Sequence, residues 1–136
     1  MKWNMKQIFI VEDDYYMSRV LERAFRLNGY EVVSVADGVD AWKQLETMTP
    51  TPAAIFADIR MPNMDGITLV RTIRADHRFD PVPVVIVTNS FHTERANECI
   101  DAGADRYVVK FDHTPKEIVQ VAEEVIAERE QKAVTT

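Results

Sequence analysis

The alternation of strand, turn and helix is clearest in residues 53–66, whose sequence is AAIFADIRMPNMDG. The apolar run from Ala53 to Ala57 is typical of a short strand that is buried on both faces. Asp58 ends that run, and the proline and glycine that follow it predict a turn before the next helix. Because α/β proteins bind ligands beyond the carboxyl ends of their strands, a carboxylate at this point is a candidate functional group.

The same alternation occurs along the whole chain. Buried apolar runs predict strands at 7–11, 31–35, 53–57, 84–87 and 106–109. Apolar residues at helical spacing predict helices at 15–28, 40–48, 67–75 and 93–102, and a last helix that starts at Thr114-Pro115 and frays after Arg129. Strand–helix units repeated in this way predict an α/β fold, in which helices cover both faces of a parallel sheet.

Helical spacing also predicts which residues of each helix face the core. The expected inward positions are Met17, Val20, Leu21, Ala24 and Leu27 in the first helix, and Ala96, Cys99 and Ile100 in the fourth. Asp14 is the expected N-cap of the first helix. Gly29 and Gly103 are expected to end the first and fourth helices.

The composition is that of one globular domain, with 136 residues of which 46% are apolar and 28% charged. The net charge of −6 and the pI near 5.0 argue against a nucleic-acid-binding surface. The lone Cys99 cannot form an internal disulfide and fits a reduced, cytoplasmic setting. No apolar run approaches the length of a membrane span and no signal-peptide core precedes the first strand, so no membrane contact is expected.

Polar side chains follow four of the predicted strands. Glu12 and Asp13 follow the first strand, Asp58 the third, Thr88 the fourth and Lys110 the fifth. Because the carboxyl ends of parallel strands lie at one edge of the sheet, these side chains are expected to converge. Carboxylates about 4 Å apart repel by about 4 kcal/mol per pair at an effective dielectric constant near 20. Either one of them holds a proton, or a divalent cation lies among them.

A cation held by oxygen ligands alone would be Mg2+ or Mn2+ rather than Zn2+. With an ammonium and a hydroxyl nearby, such a site suits phosphoryl transfer to a carboxylate, which gives an acyl phosphate. Each residue also has a simpler interpretation, because the acidic pair and Thr88 could cap helices and Lys110 could be a solvated charge. The occurrence of all of them at successive strand ends favours a functional site.

Five motifs resemble those of the receiver domains of two-component response regulators, in particular the single-domain chemotaxis kind. They are Val11-Glu12-Asp13, Asp58 with the MPNMDG of 61–66, Val87-Thr88, Gly103-Ala104-Asp105 and Tyr107-Val108-Val109-Lys110. The resemblance covers residues 6–130 and implies a single receiver domain over 1–136, with flexible ends at 1–5 and 131–136. It also implies the flavodoxin-like, doubly wound (βα)5 fold with strand order 2-1-3-4-5.

The resemblance implies a role for each acidic residue. Asp58 is similar to the family's phosphoacceptor and also to one of its metal ligands. Asp13 is similar to the direct Mg2+ ligand, and Glu12 to a second acidic residue that acts through water. The backbone carbonyl of Arg60 is similar to the family's main-chain metal ligand.

The remaining roles concern the switch and the partners. Thr88 resembles the hydroxyl that moves to the phosphoryl group, Lys110 the lysine that pairs with that group, and Tyr107 the aromatic residue whose rotamer reports the state. The resemblance implies a histidine kinase or histidine phosphotransfer protein as phosphodonor and an unknown downstream protein target. Such a module assists its own phosphorylation and dephosphorylation and is not an enzyme that acts on other substrates.

Two other functions fit parts of the pattern. A Mg2+-dependent phosphatase or phosphotransferase could use Asp58 as nucleophile against small substrates. Haloacid-dehalogenase-type enzymes, however, usually carry a second Asp where this chain has Arg60, and they usually add a cap domain. A flavodoxin-like cofactor binder would need a Gly/Ser/Thr phosphate loop after the first strand, where the acidic Glu12-Asp13-Asp14 would repel a phosphate.

Three positions depart from the family pattern. Asn89 stands where a small residue usually follows the switch threonine, and it is expected to alter phosphorylation or dephosphorylation rates. Arg60 is expected either to reach the phosphoryl group or an acidic side chain, or to be solvated. Phe111 replaces a proline whose bond to the lysine is often cis. Because a cis bond to another residue costs about 2.5–4 kcal/mol, we expect a trans Lys110-Phe111 bond and a shifted loop. The ring of Phe111 could contact a partner or pack on the last helix.

Overall fold

The structure is a computed structural model and describes residues 6–89 and 92–135. Its strands are β1 (Gln7–Val11), β2 (Glu31–Val35), β3 (Ala54–Ala57), β4 (Val84–Thr88) and β5 (Arg106–Val109). Its helices are α1 (Tyr15–Leu27), α2 (Gly38–Thr47), α3 (Gly66–Arg74), α4 (Thr93–Ala102) and α5 (Pro115–Thr135). Short 3-10 turns lie at His77–Phe79 and Lys110–Asp112. Within these described ranges, no helix combines the length and the apolar character that crossing a membrane requires.

The five strands form one parallel sheet in the order β2-β1-β3-β4-β5. This arrangement confirms the predicted flavodoxin-like (βα)5 fold and its strand order. The chain passes from β1 to β2 on one side and then to β3 on the other, so the topological switch point lies between β1 and β3. The register pairs Val11 with Ala57 across that point, and the residues that follow both strands therefore share one edge.

The core has two layers because successive strand residues point to opposite faces of the sheet. On one face, Phe9 and Val11 pack in a cluster with buried residues of α2, α3 and α4. On the other face, Ile8 and Ile10 pack in a second cluster with buried residues of α1 and α5. The central strands are therefore apolar throughout, as the sequence predicts for a sheet covered on both sides.

Acidic side chains set the starts of the first three helices. The carboxylate of Asp14 accepts a hydrogen bond from the Met17 N–H at 3.0 Å, which confirms the predicted cap of α1. Asp37 caps α2 in the same way, so this helix begins at Gly38 and not at Asp40 as we expected. Asp65 caps α3, which begins at Gly66, one residue earlier than expected.

Two predicted inward residues are exposed, which corrects the assignment of two helix faces. Leu27 is 72% exposed and Ile100 is 46% exposed. The buried stripe of α1 is centred on Ser18, Leu21 and Phe25, and Leu27 lies about 200° around the helix from Phe25. In α4 the buried residue is Cys99, and Ile100, next in sequence, lies about 100° away from it on the helix surface.

The last helix is longer than expected. We predicted fraying after Arg129 and a flexible end at 131–136, but α5 continues to Thr135. Glu130, Gln131, Lys132 and Ala133 are all good helix formers, so propensity alone favours this continuation. The expected flexible start, residues 1–5, lies outside the described residues, as does residue 136.

Cys99 is expected to be nearly inert to alkylating reagents in the native protein. Burial raises the pKa of its thiol to about 11, and its side chain is 0% exposed. Because the thiolate is the reacting species, a raised pKa leaves the thiol protonated and slow at pH 8. Intact mass after iodoacetamide treatment should show little adduct at pH 8 and full labelling in guanidinium. Fast labelling of the native protein would contradict the buried position.

Candidate functional site

The ends of β1, β3, β4 and β5 bring the predicted site residues into one cleft. Glu12, Asp13, Asp58, Thr88 and Lys110 all line it, which is the convergence expected from the strand ends. Its walls also include Asp14, Arg60, Asn89 and His92. The sheet topology thus places residues from four separate segments of the chain around one volume.

Three carboxylates in this cleft are close enough to share one cation. Ligand oxygens of Glu12, Asp13 and Asp58 all lie within 4.8 Å of one another. Glu12 is 5% exposed and Asp58 8% exposed, whereas Asp13 is open to solvent. A group of oxygen donors fits a hard ion such as Mg2+, and the exposed Asp13 gives that ion a point of entry.

Lys110 is a buried ion-pair partner and not a solvated charge. Its ammonium donates to Oδ2 of Asp58 at 3.0 Å and also to Oε1 of Glu12. Its side chain is only 2% exposed. Burial by itself would lower the pKa of Lys110, but the hydrogen bonds and the attraction of the two carboxylates outweigh it and leave the pKa raised. The cleft therefore holds a fixed positive charge beside Asp58.

Backbone groups hold the two buried carboxylates in place. Oδ1 of Asp58 accepts a hydrogen bond from the Ile59 N–H at 2.7 Å, and Oε2 of Glu12 accepts one from the Asp14 N–H at 3.2 Å. Burial raises the pKa of Glu12 more than the hydrogen bond from Lys110 lowers it, and the charge of Asp58 adds to the rise. Both oxygens of Glu12 accept hydrogen bonds, and the expectation that this residue acts on a cation through water stays a prediction.

The turn after β3 requires a glycine to hold Asp58 at the sheet edge. The N–H of Gly66 donates to the Ile59 carbonyl at 2.8 Å and closes the turn. A Cβ on Gly66 would lie 2.2 Å from the Asp58 carbonyl oxygen, a distance that would force the backbone apart. Asn63, with φ of 69°, takes the left-handed conformation within the same turn.

The two predicted switch residues lie on neighbouring strands. Thr88 is 5% exposed at the end of β4. Tyr107 on β5 pairs with Ile86, two residues before Thr88, so Tyr107 and Thr88 share one face of the sheet. The half-buried Tyr107 packs against the core, and its phenol lies near the backbone of His92. Burial is the main cause of its raised pKa.

The peptide bond after Lys110 follows the prediction made from Phe111, whereas the expected shift of the loop stays a prediction. Among the described residues the cis peptide bond is Thr49–Pro50, so the Lys110–Phe111 bond is trans, as expected. The chain then enters the 3-10 turn Lys110–Asp112. Phe111 is 79% exposed, so its ring does not pack on α5 and is available as contact area.

The structure also locates the other two positions that depart from the family pattern. Arg60 and Asn89 are both exposed and line the cleft. Arg60 also borders an adjoining pocket with Asp65 and Arg95. The proposed metal-binding role of the Arg60 carbonyl stays a prediction. His92 is a further residue of the cleft wall that the sequence motifs do not indicate. Only its position in the loop after β4 points to this edge of the sheet.

The chain matches a family model described as the response regulator receiver domain over residues 8–123. Chemotaxis protein CheY1 of Helicobacter pylori strain J99 is 32% identical over 121 residues, which cover 88% of this chain and 96% of that protein. The transcriptional regulatory protein PrrA of Mycobacterium leprae is 39% identical over 105 residues, which cover 76% of this chain and 43% of PrrA.

A solved structure shows the same fold with an ion bound. The receiver domain of the sensor histidine kinase PA1611 from Pseudomonas aeruginosa PAO1 has a TM-score of 0.81 and 30% identity. The match covers 90% of this chain and 98% of that one, and that structure has a magnesium ion coordinated in the active-site cleft. The present chain belongs to the response regulator receiver domain family. Members of this family are signalling modules and not classical enzymes.

Proposed function

We propose that this protein accepts a phosphoryl group on Asp58 from a histidine kinase or a histidine phosphotransfer protein. The observation that carries the proposal is the buried contact of Asp58 with the Lys110 ammonium, inside a cleft that also holds Glu12 and Asp13. Asp58 is 8% exposed, so a donor can reach its carboxylate, and the positively charged Lys110 ammonium lies beside it. These are the conditions that an anionic nucleophile needs before it approaches an anionic phosphoryl group.

The transfer exchanges one bond to phosphorus for another. An oxygen of Asp58 bonds to phosphorus while the bond from phosphorus to the donor's imidazole nitrogen breaks, and that nitrogen keeps the electron pair. The Lys110 ammonium neutralises charge on the transferred group. In hydrolysis, a water oxygen bonds to phosphorus, Asp58 leaves as a carboxylate, and the proton of the water passes to solvent. Both reactions depend mainly on positioning and charge.

Mg2+ fits the acidic group of the cleft. Asp13, Asp58 and, through water, Glu12 would hold it, together with the carbonyl of Arg60. When bound, the ion supplies positive charge that offsets the repulsion between carboxylates and phosphoryl oxygens. The donor set supports this assignment because it contains oxygen atoms only and its members lie within 4.8 Å of one another.

The structural effect of phosphorylation would reach the protein surface through movements of Thr88 and Tyr107. The modified Asp58 carries about two negative charges in place of one. Thr88, in the wall of the cleft, is within the same volume and can donate its hydroxyl proton to a phosphoryl oxygen. Tyr107 shares a sheet face with Thr88, so a movement of Thr88 changes the packing available to the ring. The altered surface would bind a downstream protein, with no direct role for nucleic acid.

The experiment that tests this proposal is intact mass spectrometry after incubation with acetyl phosphate. With Mg2+, we expect one phosphoryl adduct that hydroxylamine removes, because an acyl phosphate reacts with that nucleophile. With EDTA in place of Mg2+, the adduct should be absent. A folded protein that gives no adduct and does not respond to beryllofluoride would contradict the proposal and indicate a constitutive binding module. Turnover of p-nitrophenyl phosphate would favour the phosphatase alternative instead.

Asn89→Ala is expected to shorten the lifetime of the aspartyl phosphate by about two- to tenfold, because the free energy of one hydrogen bond corresponds to a change in rate of this size. The Asn89 side chain is exposed in the cleft wall, where its amide can donate to a phosphoryl oxygen and restrict the approach of water. The decay of the adduct, followed by intact mass after removal of acetyl phosphate, measures this effect. Asn97→Ala, the same change on the exposed face of α4, is the matched control. Unchanged rates of phosphorylation and decay in Asn89→Ala would contradict the prediction.

A further inference from the structure

His92 brings an imidazole to the cleft that the functions described above do not use. It lines the cleft together with Asp58, Thr88 and Lys110. His92 is the residue before the first turn of α4, with an extended backbone (φ −137°, ψ 124°). Within the described chain its side chain makes no capping hydrogen bond, and the residue is exposed. The imidazole therefore does not cap α4 and is available to bind another group.

The donors around Asp58 leave room for a further one. A phosphoryl group has three terminal oxygens, each of which accepts hydrogen bonds. Lys110 is shared between Asp58 and Glu12, Thr88 has a single hydroxyl proton, and the Asn89 amide can reach only part of the group, so these three donors do not fill the acceptor positions of three oxygens. The charged groups that face this volume are Lys110 and Arg60 on the positive side and Glu12, Asp13, Asp14 and Asp58 on the negative side. An imidazole offers at least one N–H donor in either protonation state.

We propose that His92 is a phosphoryl-binding residue, whose imidazole N–H donates a hydrogen bond to a terminal oxygen of the phosphoryl group on Asp58. This inference rests on the proposed function and adds a specific residue to it. The contact requires no change in protonation, because both the neutral and the charged ring are donors.

The backbone of the same residue lies near the switch tyrosine. The main chain of His92 is close enough to the phenol of Tyr107 to influence its pKa, and the His92 carbonyl accepts the first hydrogen bond of α4 from the Ala96 N–H at 2.9 Å. A phosphoryl group that binds the His92 ring therefore acts on a residue that lies near Tyr107 and at the start of α4. His92 gives the phosphorylation site a route to this surface in addition to the movement of Thr88.

The test is a titration with beryllofluoride and Mg2+, which form a stable mimic of the phosphorylated aspartate, followed by 1H–15N NMR. His92→Ala should weaken beryllofluoride binding by about 3- to 10-fold, the loss expected for one ordinary hydrogen bond at a solvent-exposed site. His92→Gln, which keeps an N–H donor, should recover most of that loss. His77→Ala is the control, because His77 lies in the turn before β4, outside the cleft, and should bind as the wild type does.

A second measurement is made on the wild type. The side-chain nitrogens of His92 should shift on saturation with beryllofluoride, whereas those of His77 should not, and the His92 signals are assigned by their loss in His92→Gln. If His92→Ala binds as tightly as the wild type, or if the His92 nitrogens do not shift, the inference is wrong and the proposed function stands. If the wild type itself does not bind beryllofluoride, the proposed function fails and this inference falls with it.

Discussion

Asp58→Asn is expected to abolish the phosphoryl adduct completely. The amide that replaces the carboxylate has no anionic oxygen to bond to phosphorus, so the loss is chemical and not a matter of degree. The fold should persist, because the Asn oxygen can still accept the hydrogen bond that Ile59 donates at 2.7 Å. Mg2+ binding should weaken by at least about 10-fold, since even the loss of a residue behind the metal ligands costs 10- to 100-fold.

Asp14→Asn is the matched control for this experiment. Asp14 lines the same cleft, so this change also removes one carboxylate from it. Its capping role at Met17 survives, because Asn and Asp are equally good N-caps. Asp14→Asn should therefore keep the adduct, measured by intact mass, and a thermal melt should show that both variants are folded. An adduct of normal stoichiometry on Asp58→Asn would show that the phosphoryl group is attached elsewhere.

Asp105→Ala is expected to be the most destabilising change away from the cleft. One oxygen of Asp105 accepts from Arg129, with Nη2 at 2.7 Å and Nε at 2.9 Å. The other accepts from Arg74 Nη2 at 3.1 Å and from the Val84 N–H at 2.8 Å. The carboxylate thus joins the end of α3, the start of β4 and the last helix. Its removal leaves the Val84 N–H without its acceptor and two half-buried guanidinium groups without a carboxylate, although Arg74 still donates to the Gly103 and Phe79 carbonyls and Arg129 to that of Asp80.

The charges explain the size of the effect. Burial, followed by repulsion from Arg129, lowers the pKa of Arg74, and the carboxylate of Asp105 opposes that shift. Loss of one partner from a buried ion pair costs about 3–5 kcal/mol, and partial exposure reduces this to about 2–4 kcal/mol here. The free energy of unfolding, from urea denaturation with an unchanged slope, should fall by that amount.

Two variants make this prediction specific. Asp105→Asn keeps the shape and one acceptor oxygen and should lose about half as much stability, since it removes the charge but not every hydrogen bond. Asp112→Ala removes an exposed carboxylate from the turn after β5 and should change stability by less than about 0.5 kcal/mol. A loss below about 1 kcal/mol in Asp105→Ala would mean that the ion pairs are too well solvated to matter.

Much of the fold could be predicted from the sequence because its signals are local. Apolar runs identified the strands, and Asp14 was recognisable as a cap because a cap acts only three residues along the chain. Helix edges were less certain: α2 begins at Gly38 because the capping residue is Asp37, and spacing alone did not distinguish Asp37 from Asp40 as the start. Leu27 and Ile100 were misassigned because packing against the sheet, and not apolar spacing alone, decides which face of a helix is buried.

For the candidate site, too, the sequence determined some features and not others. The sequence determined which residue types follow the strands, and the parallel arrangement then required Glu12, Asp58, Thr88 and Lys110 to share an edge. The strand order itself was taken from the family resemblance, because no local pattern specifies which strand lies beside which.

Only the tertiary structure showed that Lys110 is bound to Glu12, 98 residues away, and to Asp58, whereas the sequence also allowed a solvated lysine. The tertiary structure alone also showed that Asp105 pairs with Arg74 and Arg129 and that His92 lines the cleft. The physical reason is that hydrogen bonds and ion pairs act over about 3 Å. They depend on where the folded chain brings distant residues, whereas strand and helix periodicity depends on neighbours along the sequence.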